Sequence, residues 1–205
     1  QQHVQTVIEK KIPHISCYAL TVEPKTALDI LIKQKKKTPI NTDVQAEQFL
    51  LLMQWMRDAG YRHYEISNYS LPGHESKHNS SYWKGENYYG FGPSAHAYDG
   101  KCRRWNVANN ALYIKSLEQN ILPFEEEVLT TTQRLNEYIM TSIRTIGGID
   151  LNYLSNTFGE AKKNKLVKDA NKWKNKLIFS DNTILLTDEG KLFADGIAAD
   201  LFAVD

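Results

Sequence analysis

Cysteine is scarce in this chain. Cys17 and Cys102 are the two it has, and they make neither a disulfide framework nor a four-ligand metal site. An excess of one charge is lacking as well. The 25 lysines and arginines nearly cancel the 24 aspartates and glutamates, leaving a formal net charge of +1. Net charge alone therefore argues against a general nucleic-acid binder. No apolar run approaches the roughly 20 residues of a membrane span, and no signal-peptide pattern opens the sequence, so a cytoplasmic location is expected. What is present is a globular composition, 41% hydrophobic and 24% charged over 205 residues. That length suits one large domain or two small ones, each with a core.

The first 70 residues alternate helix and strand. Val4 to Lys11 has helical spacing, and Pro13 breaks it before the strand "HISCYAL", His14 to Leu20. "EPKTALDILIKQKKKTP" reads as a short helix decaying into a solvated loop at Lys33, Lys35, Lys36 and Lys37. The clearest helix is "NTDVQAEQFLLLMQWMRDAGY". Asn41 or Thr42 caps it, Phe49, Leu52, Met53 and Met56 share a face for a core, and Gly60 ends it. "YRHYEISNYS" alternates as a strand from Arg62 to Asn68, with Tyr64 and Ile66 facing one way. Helix, strand, helix and strand make one α/β crossover of a parallel sheet. Ligand groups gather beyond the carboxyl ends of such strands, which selects Glu23, Glu65 and Asn68 as candidates at the rim. A salt bridge for Glu65 and a turn for Asn68 are the alternative. The abrupt start in the middle of this rhythm gives the expectation of a fragment.

Further on, "CRRWN" reads as a strand remnant, and a helix follows from about Ala108 to Gln119. Pro123 and the acidic "FEEEV" read as a linker. The expected domains are thus residues 1–122, α/β, and 123–205, a small α+β domain. In the latter, Leu135, Tyr138, Ile139, Ser142, Ile143 and Ile146 fall at helical spacing, Asp150 caps a short helix, and a longer helix follows. A hairpin turning at Asp181–Asn182 and a last helix complete a winged-helix order. Lys162, Lys163, Lys165, Lys168, Lys172, Lys174 and Lys176 crowd its recognition region. Lysines neutralise phosphates, but no arginine is present there to read a guanine edge, so a scaffold or protein-contact role is favoured over nucleic acid.

The most unusual stretch is "HNSSYWKGENYYGFGPSAH", His78 to His96. It mixes two histidines, a tryptophan, three tyrosines, three glycines and a proline. Together with "HISCYALTVEPKTAL", "AGYRHYEISNYSLPGHESKHNSSYW" and "RRWN", it resembles the oxygen-independent coproporphyrinogen III oxidase-like proteins of the radical S-adenosylmethionine group. The HNxxYW run, here His78, Asn79, Tyr82 and Trp83, is similar to that of their haem-chaperone branch. The resemblance covers residue 4 to the end. It implies the C-terminal section of a partial parallel α/β barrel followed by the family's winged-helix-like C-terminal domain.

The family carries a four-iron–four-sulfur cluster on a CxxxCxxC motif and binds S-adenosylmethionine at a glycine-rich segment. This sequence contains neither motif. The expectation is a chain that holds no cofactor by itself and, being inactive alone, has no catalytic residue to assign. The resemblance also implies haem or a porphyrin as ligand, and an acceptor protein for delivered haem. A flat macrocycle calls for rings against its face, an imidazole for iron, and cations for its propionates. His78, Tyr82, Trp83, Tyr88, Tyr89 and His96 are candidates for the first two, His78 ahead of His96 as iron ligand, and Asn79 of the same run is a further binding candidate. Arg104, with Arg103 and Lys77, suits the propionates, and Gly90 and Gly92, with Pro93, suit close approach of backbone to a ligand. Each has a plainer reading as packing, and His74 with His78 lacks the further ligands of a zinc site. Two alternatives stay open: a decarboxylating coproporphyrinogen III oxidase, and a winged-helix module contacting nucleic acid or protein. The strand "HISCYAL", left as an uncovered sheet edge, is expected to drive self-association.

Overall fold

Residues 1–204 are described in the computed structural model of this chain, and contacts divide it into two units, Gln1–Glu75 and Ser76–Asp205. The sequence-expected boundary at residues 122–123 thus falls inside the second unit.

The first unit holds helix α1 (Gln2–Glu9), strand β1 (His14–Ser16), helices α2 (Ala27–Lys33) and α3 (Thr42–Asp58), and strands β2 (Arg62–Glu65) and β3 (Asn68–Ser70). Asn41 starts α3, its Oδ1 accepting from the amides of Asp43 and Val44 at 3.0 and 3.1 Å. This satisfies two of the donors that a helix start leaves open. Phe49, Leu52, Met53 and Met56 turn together onto the core, as their spacing predicts, and meet Tyr61, Tyr69 and the α1 residues Val4, Val7 and Ile8. Met56 and Tyr69 are fully buried, each burial stabilising the unit by about 1.5–3 kcal/mol. The Tyr61 hydroxyl donates to the carbonyl of Ile12 at 2.6 Å, tying the end of α3 to the start of β1.

The sheet corrects two expectations. Its order is β1-β3-β2, and both ladders are antiparallel. β1 and β2 do run in the same direction, as a crossover requires, but β3 lies between them. "YRHYEISNYS" is accordingly a hairpin that turns at Ile66–Ser67 rather than one strand. "HISCYAL" is shorter than expected, ending as a strand at Ser16 with one further bond from the Cys17 amide to the Ser67 carbonyl.

The second unit opens with helix α4 (Lys77–Trp83), strands β4 (His96–Tyr98) and β5 (Cys102–Asn106), helix α5 (Asn110–Glu118) and strand β6 (Phe124–Val128). These strands form an antiparallel sheet of order β4-β5-β6. "FEEEV" is therefore a strand and not a linker. Its acids face basic partners across the ladder, Arg103 opposite Glu127 and Arg104 opposite Glu126, and opposite charges on facing positions stabilise a strand pair.

Helix α6 (Thr131–Ile143), strand β7 (Ile149–Asp150), helices α7 (Leu151–Phe158) and α8 (Glu160–Ala170), strands β8 (Leu177–Phe179) and β9 (Thr183–Leu186), and helix α9 (Ala194–Asp200) complete the unit. The sheet order β7-β9-β8 and the hairpin after α8 give the winged-helix arrangement. Thr130 and Gln133 close a reciprocal capping box at the start of α6. Leu135, Ile139 and Ile143 then bury against a core that includes Ile149, Leu154, Leu166, Ile184 and Ile197. Ile146, expected on that stripe, lies past the helix end and is exposed.

Candidate functional site

The aromatic stretch is organised around a helix that composition hides. The Ser76 hydroxyl accepts from the Asn79 amide at 3.2 Å and caps α4, so His78 stands on a helix and not in the loop-like run expected. His78 and Tyr82, one turn apart, share a face. Their rings meet edge-on at 5.1 Å and 89°. Tyr82 meets Tyr88 at 4.9 Å and 63°, and Tyr88 meets Tyr98 at 6.2 Å. Tyr88 and Tyr98 also exchange backbone hydrogen bonds, both 2.9 Å. Four rings thus run from an exposed imidazole inward to β4. Burial, followed by the charge of Glu137, pushes the Tyr98 hydroxyl above its ordinary pKa.

Trp83 has a different job. Its indole lies under the Arg144 guanidinium, 5.6 Å from the ring centroid, and Arg144 in turn donates to Asp195 at 2.6 Å. A cation over an indole face is attractive, and here it fastens α4 to α6. Asn79 contributes its backbone amide to the cap of α4.

The glycines serve the chain's own packing. A Cβ on Gly90 would sit 2.2 Å from the carbonyl oxygen of His96, so the close approach expected toward a ligand is toward β4. Gly92 has φ +95° with open space around it, and its requirement is conformational. Asn106, which no sequence argument singled out, holds both: its Nδ2 donates to the carbonyls of Gly90 (3.3 Å) and Gly92 (2.8 Å). The Gly92 amide donates to the Tyr113 hydroxyl at 3.3 Å. On this braced loop Tyr89 and Phe91 are each 87% exposed. The signal available was the last residue of "RRWN", a polar group ending a strand. His96 is exposed at the start of β4, opposite Trp105, with ring centroids 6.4 Å apart.

The cations assigned to propionates already have carboxylates. Arg104 donates from Nε to Glu126 at 2.7 Å, and its guanidinium lies 5.2 Å from the Phe124 ring centre. Glu126 raises the Arg104 pKa further. Arg103 donates to Glu137 at 2.5 Å. A ligand carboxylate would have to replace Glu126 or share Arg104 with it. Lys77 is exposed beside His78 on α4.

The other candidates belong to the first unit. Glu65 and Asn68 are 1% and 2% exposed, and they close the turn between β2 and β3 on each other. The Glu65 carboxylate accepts from Asn68 Nδ2 at 2.5 Å and from the Ser67 amide at 3.1 Å. Ser16 donates to Asn68 Oδ1 at 2.6 Å. Glu23 lies on an exposed segment whose carbonyl accepts from the Thr26 side chain. Cys17 is half-buried, and burial pushes its thiol up, away from a reactive thiolate. Among the described residues no group of three or more His, Cys, Asp or Glu is placed to hold a metal ion. Four of the seven winged-helix lysines pair with acids: Lys163 with Glu160, Lys165 and Lys172 with Asp169, and Lys176 with Glu189. No helix among the described residues is long and apolar enough to cross a membrane.

No family model matches the chain. It is 31% identical over 199 residues to the haem chaperone HemW of Mycobacterium tuberculosis, covering 97% of this chain and 50% of that protein. To the haem chaperone HemW of Bacillus subtilis it is 29% identical over 201 residues, covering 96% and 53%. Among solved structures, coproporphyrinogen III oxidase (HemN) from Escherichia coli, described as a radical SAM enzyme, superposes with a TM-score of 0.69. That match covers 98% of this chain and 50% of the other at 15% identity, which speaks to fold alone. The chain spans about half the length of the curated relatives it matches. Over nearly its whole length the chain is thus a relative of the haem chaperones HemW, with the fold of the matching half of coproporphyrinogen III oxidase HemN.

Proposed function

We propose that this chain is the part of a haem chaperone that receives haem or a related porphyrin, on the surface formed by α4 and the aromatic loop. The observation that carries the reading is the ring series His78, Tyr82, Tyr88 and Tyr98, which begins at an exposed imidazole. An imidazole reaches iron, and an exposed tyrosine one helical turn away offers its face to the macrocycle. His96, Tyr89 and Phe91 add an exposed imidazole and two exposed rings nearby in sequence. Asn79 and Trp83 support the site by keeping α4 in place. Arg104 meets a propionate by exchange with Glu126, and Lys77 offers a second cation.

The family's iron–sulfur cluster needs ligands that these residues do not supply. A CxxxCxxC site supplies three thiolates, and Cys17 and Cys102 are the only cysteines here. The residues present do not fit that cluster, and no step is assigned to it. In this reading haem is cargo, passed in the cytoplasm to an acceptor protein, and copies of the chain associate through the β1 edge. Titration with hemin, followed at the Soret band, tests the reading. Saturable binding weakened by His78→Ala supports it, and a spectrum equal to that of hemin in buffer removes it.

A further inference from the structure

We infer that Asn106 is a positioning residue for the porphyrin surface, holding the aromatic loop in its binding-competent shape before any ligand arrives. The inference rests on the haem reading and goes beyond it. Its basis is a convergence of bonds on one side chain. Residues 89–95 join Tyr88, the third ring of the series, to His96, the second exposed imidazole. Seven residues with two glycines have many shapes available, and left alone they would hold these two groups at no fixed separation.

One residue removes that freedom. The Asn106 amide donates from its backbone to Ala95 at 2.9 Å and from its side chain to Gly90 and Gly92 at 3.3 and 2.8 Å. Both ends and the middle of the loop are therefore tied to the last residue of β5. The Tyr113 hydroxyl on α5 takes the Gly92 amide, and the Ser94 amide donates to the Val107 carbonyl at 3.2 Å. Ser94 adopts φ +61°, a conformation that a non-glycine residue keeps only where its surroundings impose it. Gly90 completes the arrangement, since any larger residue would push the loop off His96. The result is a loop that shows two large apolar rings to solvent, at 87% exposure each, while its backbone is fixed. Ordering before binding lowers the cost of binding, because affinity is reduced by whatever fraction of molecules lacks the competent shape.

Hemin titration of the full chain and of two variants, read together with amide exchange and thermal unfolding, tests this. Asn106→Ala keeps the backbone bond to Ala95 and loses the two side-chain bonds. It should bind hemin about tenfold more weakly with the Soret maximum unmoved, and exchange the Gly92 amide faster, at an unchanged far-UV spectrum. A purely structural role would instead lower the melting temperature and leave the affinity of the remaining folded protein unchanged. Binding equal to wild type with a loosened loop overturns the inference and leaves the haem reading standing. Absence of hemin binding by the wild-type chain overturns both. If Asn106→Ala does not fold, Tyr113→Phe decides: a smaller loss in the same direction supports the clamp, and unchanged affinity rejects it.

Discussion

Gly90 shows how a single residue can be misread and still be indispensable. In the sequence a glycine beside aromatics suggests approach to a ligand. In the structure its missing Cβ is what lets the His96 carbonyl pass, and backbone atoms cannot yield as a side-chain tip can. Gly90→Ala should therefore destabilise the second unit by about 2–3 kcal/mol. Gly92→Ala, strained by its φ of +95° but sterically open, should cost only about 1 kcal/mol. Thermal melts of the two variants give the order, and an equal effect would mean that the loop relaxes away from β4. Tyr98 sets a second test at this scale. Its hydroxyl pKa is raised by burial and by Glu137, so the folded state prefers the neutral phenol. The stability this contributes is complete below the ordinary tyrosine pKa near 10 and is lost as pH rises through the higher folded value. Urea midpoints between pH 9 and 11.5 should fall less steeply for Tyr98→Phe than for wild type, and parallel curves would contradict the shift.

Elements were legible where local pattern and tertiary packing agree. α3 is marked by a cap, a stripe and a terminal glycine, and the winged helix by capped helices and a turn at Asp181–Asn182. The hairpin β2–β3 has no such mark, because Ile66–Ser67 lacks the glycine or asparagine that usually announces a tight turn. "FEEEV" is mostly acidic and has poor strand propensity by itself, and its pairing with β5, where Arg104 bonds Glu126 and Trp105 bonds Glu125, makes it a strand. α4 is short and rich in residues that favour helices weakly, so that its cap and its anchor on Arg144 decide the outcome. The candidate site was half legible for the same reason: ring types can be counted in a sequence, but Asn106 matters through bonds to residues 14 and 16 positions away. β1 carries a prediction of its own. It bonds β3 on one side, and Tyr18 and Leu20 just beyond it are 74% and 61% exposed. Edge strands with apolar flanks pair with further chains. Light scattering should show a mass that grows with concentration, and Tyr18→Lys, which places a charge on the exposed flank of β1, should reduce it. A constant monomer mass across the range would contradict this.

At the scale of the whole molecule, a likeness to haem chaperones meets an exposed aromatic surface. The chain covers nearly all of itself, and about half of each relative, in the matches to haem chaperones. Its second unit combines a winged helix, whose lysines are largely occupied by neighbouring acids, with an aromatic face that ends in exposed histidines. Within that unit Arg144, at the end of α6, lies over Trp83 and ties α4 to the winged helix. The aromatic face bears the central claim, that haem is bound with His78 as the iron ligand. Hemin titration of wild type, His78→Ala and His96→Ala, followed at the Soret band, measures it most directly. Wild type should bind saturably, His78→Ala should show a shifted Soret maximum and the larger loss of affinity, and His96→Ala a smaller loss. Identical spectra and affinities for all three proteins would contradict it.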